Sequence, residues 1–312
     1  MRLSFGFVTS PLHDPEEVAA MEALGVNSLW VGGHVASRNP SPEALIQLAI
    51  LATRSKSVRI GTSILLLPLY APAIVAKQIA DLDRACGGRI SLGVGVGGEY
   101  PGEFRACGVP LAERGRRTDE AVKLLRTLWT AEEITHPGPF YPMERVKIHP
   151  APVQAGGPPI IIAGRQEVAM RRAASMGDGW MPYLYSPQRY AGSVETIKAL
   201  AEAGGRDLSK FEWMQFLFTN VQDDGQKARS DMAQFLGGTY NQDFKPLVDR
   251  VAAAGTVREV TARVREFVDA GARHIVFMLG TKENRVAMAT RIAREIIPAF
   301  EGWRADRSAG SF

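Results

Sequence analysis

His34 stands in the run Val31-Gly-Gly-His-Val35, at the end of an apolar stretch, where an imidazole could take or give a proton near neutral pH. Alone, such a histidine is more often a packed one. Nothing nearby completes a hydrolytic set: the sequence holds no Ser-His-Asp order, HExxH, P-loop or metal-spaced cluster, so no metal is expected. Cys86 and Cys107 lack CxxC or zinc spacing and read as reduced packing thiols. With so little acid–base machinery, the hard chemistry falls to a bound cofactor.

Glycines mark where a cofactor would lie. The apolar run 90–97 carries Gly93, Gly95 and Gly97 at alternate positions and continues into Gly98, Glu99 and Tyr100. Glycine weakens a strand interior, so a strand that keeps several has backbone or ligand pressed close to it. A second turn, Ala163-Gly164-Arg165-Gln166, follows the run Ile160-Ile161-Ile162. Backbone N–H groups at a glycine turn that opens a helix suit a phosphate-bearing ligand. By itself Arg165 reads as a solvated arginine at a helix start.

These residues need a frame. Short apolar runs bounded by glycine or polar residues predict strands at 3–8, 28–32, 58–67, 90–97, 159–164, 179–182, 212–221 and 273–279. Helical spacing fills the intervals. Asp14 caps a helix with Pro15 at its first position, Pro42 and Pro72 open two more, and Thr118 precedes one carrying Val122, Leu125 and Trp129. Thr256 and Glu259 form a capping box, and a last helix over 283–297 stops at Pro298.

Such alternation predicts an α/β fold with a parallel sheet. The even strand count, and the absence of a GxGxxG after the first strand, favour a (β/α)8 TIM barrel over a doubly wound sheet. One domain is expected over 1–300, with insertions near 131–158 (a short hairpin) and 237–255 (a helix and loop), followed by a C-terminal tail over 301–312.

In a barrel the site lies at the carboxyl ends of the strands. Its walls are expected from 66–70, which includes Leu67 and Tyr70, from Tyr183 to Tyr185, and from 237–244. That set is mainly apolar and aromatic, which points to a hydrophobic substrate rather than a sugar phosphate. Lys282 and Arg285 could bind an anionic group but read more simply as solvated charges.

The chain has 312 residues, 37 basic against 33 acidic for a net charge of +4, too small and dispersed for a nucleic-acid footprint. No apolar run approaches membrane-spanning length, and the first residues read as a strand rather than a signal segment, so a cytoplasmic enzyme is the expectation.

The stretches 61–83, 89–120 and 163–180 together resemble the luciferase-like flavin and deazaflavin oxidoreductases, and the resemblance runs from Phe5 to about Phe300. It implies an eight-stranded barrel with insertions, commonly dimeric, that binds FMN or the deazaflavin coenzyme F-420 at its carboxyl face. Many members carry a non-proline cis peptide in a bulge at the end of the third strand, behind the flavin ring; the matching pair is Ser63-Ile64. The loop from Gly95 through Gly97, Gly98 and Glu99 would follow the ribityl chain. Ala163, Gly164 and Arg165 match the loop that receives the cofactor phosphate, and His34 matches a histidine beside the reactive ring. Deazaflavin members often place Asp directly before that histidine; here the residue is Gly33.

Three functions compete. The favoured one is F-420-dependent hydride transfer to or from a small organic substrate. The second is an FMN-dependent monooxygenase, fed with reduced flavin by a separate reductase, which needs a dry pocket. The third is a non-catalytic flavin-binding barrel.

Overall fold

The computed structural model describes residues 3–10, 12, 14 and 16–303. The chain opens with β1 (Ser4–Val8), α1 (Glu17–Glu22), β2 (Ser28–Val31), α2 (Ala44–Arg54), β3 (Arg59–Thr62) and β4 (Leu65–Leu66). It continues through α3 (Pro72–Ala85), β5 (Ile90–Gly95), α4 (Pro101–Ala106), α5 (Arg114–Leu128), β6 (Ile134–His136) and β7 (Met143–Val146). Then come β8 (Ile160–Ala163), α6 (Glu167–Met176), β9 (Gly179–Met181), α7 (Pro187–Ala203), β10 (Glu212–Val221) and α8 (Gly225–Tyr240). The last elements are α9 (Val248–Val251), β11 (Ala253–Gly255), α10 (Val257–Asp269), β12 (His274–Leu279) and α11 (Arg285–Arg291).

The expected strands are all present, and they close into a parallel barrel in the order β12-β1-β2-β3-β5-β8-β9-β10, with β10 pairing back onto β12. Buried Val8, Trp30, Ile161, Met181, Met214 and Val276, one from each of six strands, pack together in its interior. The larger core lies between the strands and the surrounding helices, with Leu48, Ile79, Leu125 and Phe267 fully buried in it.

The amino end of the barrel is sealed by polar side chains. Ser28, Arg59, Glu212 and His274 are each the first residue of a strand, so they converge on one layer. Arg59 donates to both Glu212 oxygens at 2.5 and 2.7 Å. The Ser28 hydroxyl bonds His274 Nε2 at 2.7 Å and accepts from Trp30 Nε1 at 2.8 Å. Gly6 makes room for it, because a Cβ there would stand 2.1 Å from Ser28 Oγ. Burial, and secondarily the Arg59 charge, lower His274 to a pKa of about 3, so it sits there neutral.

Several local expectations need correction. The last helix does not stop at Pro298: a wide turn over Ile292–Ile296 and a 3-10 turn over Ile297–Phe300 carry the helical run through it. Proline is tolerated there because it occupies the first turn of the new segment, where no intrahelical N–H is needed. The segment from Gly237 is not a separate loop, since α8 runs through Gly237 and Gly238 to Tyr240 and ends where Asn241 turns left-handed at φ 54. The helix starting near Thr118 begins earlier, at Arg114, so the basic run lies within α5. Asp14 accepts from the Glu16 and Glu17 N–H groups at 3.0 and 3.2 Å, but the N-cap position of α1 is Glu16, which carries no side-chain cap. Pro15 and the tail over 304–312 lie outside the described residues. The 131–158 insertion carries the antiparallel pair β6–β7, clipped to α5 where Glu120 accepts from His136 and from the Phe140 and Tyr141 N–H groups. Among the described residues no helix is long and apolar enough to cross a membrane.

Candidate active site

The glycines of β5 make room for a break in the neighbouring strand. β3 ends at Thr62, the Ser63–Ile64 peptide is cis, and the strand resumes as β4 on the same partner. A Cβ on Gly93 would meet the Thr62 carbonyl oxygen at 2.0 Å, and one on Gly95 would meet Ile64 Cδ1 at 2.0 Å. The glycines of this strand therefore pack tightly on the bulge, and the bulge faces the cavity. The Ser63 hydroxyl is buried without a hydrogen-bond partner.

His34 follows β2 at the cavity rim. Its Nδ1 lies 3.4 and 3.3 Å from the two carboxylate oxygens of Glu103, a fully buried residue of α4. Oε2 of the same carboxylate accepts the Val35 N–H at 3.3 Å. Tyr100 meets the imidazole edge-on with ring centroids 5.0 Å apart. Gly33 could not carry the expected aspartate: its Cβ would stand 2.1 Å from the Pro42 carbonyl oxygen and 2.7 Å from the Ala44 nitrogen. A carboxylate reaches His34 all the same, from another element.

On the opposite wall, Glu99 accepts the Tyr183 hydroxyl at 2.6 Å, the Arg165 guanidinium lies 4.7 Å over the Tyr183 ring, and Tyr183 stacks on Tyr240. Burial first, and the Glu99 charge second, raise the Tyr183 hydroxyl well above the usual phenol range, so it stays a donor. The turn after β8 places Gly164 at φ 138 with its carbonyl held by Trp180 Nε1 at 3.0 Å. Gly97 and Gly98 are also left-handed, at φ 61 and 124, and Gly98 packs on Arg114.

The cavity between these walls is lined by Gly33, His34, Ser63, Ile64, Leu66, Glu99 and Tyr100. Ala163, Met181, Tyr183, Phe216, Thr239 and Tyr240 complete it. No lysine or arginine is among them. His34, Ser63, Ile64, Glu99, Ala163 and Tyr183 are thus brought together. Gly95, Gly97, Gly98, Gly164 and Arg165 stand behind the lining, shaping it or flanking it.

Three expected wall residues face elsewhere. Leu67 is fully buried in the core between strands and helices. Tyr70 points its hydroxyl at Glu43, 2.6 Å away. Tyr185 is buried and donates to the Arg165 carbonyl at 3.0 Å, so it braces the Gly164 turn from behind. Arg285 is not solvated either: it pairs with buried Glu17 at 2.7 Å and donates to the Val8 carbonyl, pinning the end of β1. Sequence reasoning missed Glu103 and Phe216. Phe216 was readable, since Met214 and Phe216 alternate inward along β10; Glu103 had no such signal.

Residues 12–274 match the luciferase-like monooxygenase family. An uncharacterized protein of Mycobacterium tuberculosis is 34% identical over 192 residues, covering 62% of this chain and 65% of that protein, so the match spans just under two thirds of its length. An F420-dependent glucose-6-phosphate dehydrogenase of Amycolatopsis mediterranei is 27% identical, covering 91% of this chain and 92% of that one. An FMNH(2)-dependent dimethylsulfone monooxygenase of Pseudomonas putida is 31% identical over 83% of this chain and 70% of its own. In fold, an F420-dependent secondary alcohol dehydrogenase superposes with a TM-score of 0.85 at 23% identity, over 96% of this chain and 99% of that one.

Proposed function

We propose that this chain, which belongs to the luciferase-like monooxygenase family, transfers hydride between coenzyme F-420 and a small, uncharged, mainly apolar organic substrate. The observation that carries this reading is the lining itself: an imidazole at the rim of an aromatic slot that contains no lysine or arginine. A phosphorylated substrate would find there a carboxylate, Glu99, while the guanidinium of Arg165 lies over the Tyr183 ring, outside that lining.

The residues present fit the cofactor. The unpartnered Ser63 hydroxyl and the Ile64 side chain would back its ring, Glu99 and the Gly97–Gly98 turn would flank its chain, and the Gly164–Arg165 turn would meet its phosphate. Bound F-420 supplies a carbon that gives or accepts hydride. Around it Tyr183, Phe216 and Tyr240 exclude water, and His34 holds or takes the proton of a substrate oxygen.

The same apolar walls also suit FMN-dependent oxygenation, the reading supported by the dimethylsulfone monooxygenase relative, in which a separate reductase supplies reduced flavin. On either reading the protein works in the cytoplasm, and exposed Ile46 on α2 and Ile74 on α3 offer apolar surface to a second copy.

Fluorescence titration of purified protein separates the two cofactors: F-420 is expected to bind more tightly than FMN. If FMN binds more tightly by about tenfold, a difference of roughly 1.4 kcal/mol, the hydride-transfer reading fails.

A further inference from the structure

We propose that Glu103 is a positioning residue that fixes the tautomer of His34, keeping the proton on Nδ1 and leaving the Nε2 lone pair to the cavity. The proposal rests on the reading of the cavity as the reaction site, but its geometry does not involve the cofactor.

An ionised carboxylate only accepts hydrogen bonds. Both Glu103 oxygens lie within 3.4 Å of Nδ1, so that nitrogen must be the N–H donor; a bare lone pair there would face negative charge. In a neutral imidazole the other nitrogen is then the acceptor. Glu103 is fully buried, and a carboxylate removed from water needs a partner. Among the described residues its partners are His34 and the Val35 N–H, adjacent in the chain, so one side chain grips the imidazole and its backbone together.

The ring cannot turn away easily. Tyr100 packs edge-on against it at an interplanar angle of 87°, and the His34 N–H is tied to the Pro42 carbonyl at 3.2 Å. The neighbouring groups do not compete for the role. Cys107 and Tyr70 both feel the Glu103 charge and are raised chiefly by burial, so they remain protonated beside it. The Tyr70 hydroxyl is committed to Glu43. Gly33 has no space for a side chain that could do the same work from within the β2 turn. If a substrate hydroxyl delivers its proton, it goes to Nε2, the electron pair stays on the oxygen, and the imidazolium formed is held by Glu103.

The test is a long-range proton–nitrogen NMR spectrum of uniformly nitrogen-15-labelled protein without cofactor, in mildly alkaline buffer. The His34 ring signals are assigned by their loss in His34→Gln. The wild type should show a protonated Nδ1 and an unprotonated Nε2. In Glu103→Leu, and in Glu103→Gln, where one carbonyl oxygen must serve both His34 and Val35, the form protonated on Nε2 should appear. A wild-type His34 protonated on Nε2 overturns the proposal, whether or not the variants fold. So does an unchanged tautomer in two folded variants. A wild-type tautomer as stated, in protein that binds neither F-420 nor FMN, would leave Glu103 in its role and sink the reading of the cavity instead.

Discussion

Gly95 of β5 makes room for Ile64, in the break between β3 and β4: the position its Cβ would take lies 2.0 Å from Ile64 Cδ1. The shape of the cavity wall therefore depends on an atom that is missing from the adjacent strand.

That dependence separates two substitutions in one strand. In Gly95→Ala the obstructing atom is the free end of a side chain, which can rotate, so the cost should be about 1–3 kcal/mol. Ile64 would swing into the cavity, and F-420 affinity should fall. In Gly93→Ala the obstruction is the Thr62 carbonyl oxygen, part of the backbone, also at 2.0 Å. Its loss of stability should be distinctly larger. Urea unfolding of both variants checks the order, and equal midpoints would contradict it.

His274 makes the barrel floor sensitive to acid. Its ordinary pKa of 6.5 falls to about 3 in the folded chain through burial, so the unfolded chain takes up a proton first as pH drops. The stability contributed by the neutral imidazole is complete above the unfolded value and declines by about 1.4 kcal/mol per pH unit through the window below it. Under the folded pKa both states are protonated and the decline ends. His274→Gln should lose this part of the slope. Urea midpoints compared between neutral and mildly acidic buffer measure it, and parallel slopes in the two proteins would contradict it.

The end of α8 is held over the cavity by two side chains from other loops. Asn39 Nδ2 donates to the Gly238 carbonyl and the Tyr100 hydroxyl to the Thr239 carbonyl, each at 3.1 Å. Both bonds meet carbonyls near the helix end, where intrahelical partners run out. Asn39→Ala with Tyr100→Phe should remove about 1 kcal/mol for each bond. Amide hydrogen exchange should quicken over 237–241 while β1, β2 and β12 keep their protection. Unchanged exchange in that segment would mean the tethers do not hold it.

The barrel was legible because its strands are short apolar runs punctuated by glycine, and parallel strands buried on both faces need no alternation to be recognised. The carboxyl-end loops were legible as a set, though not always residue by residue. The break at Ser63–Ile64 followed by a 3-10 turn over Leu67–Leu69 resets which side chain faces inward, so Leu66 lines the cavity and Leu67 the core. Likewise Leu184 takes a left-handed φ of 50, which turns Tyr183 inward and Tyr185 away. Neither reversal leaves a trace in hydrophobic periodicity. Glu103 was hidden for a different reason: it lies 69 positions from the histidine it touches, on a helix of six residues, and only closure of the barrel brings them together.

The polar floor of Ser28, Arg59, Glu212 and His274 has a kinetic consequence. With that end plugged, ligands reach the cavity lined by His34, Ile64 and Tyr240 from the carboxyl end of the strands. Ile64 packs with the barrel interior, whereas Tyr183 and Tyr240 belong to the outer cluster around α8. Whatever settles on Ile64 must arrive before whatever settles under Tyr240, and must leave after it. Two ligands sharing such a passage form a queue: steady-state turnover should follow a compulsory order, with the inner guest trapped for as long as the outer one stays.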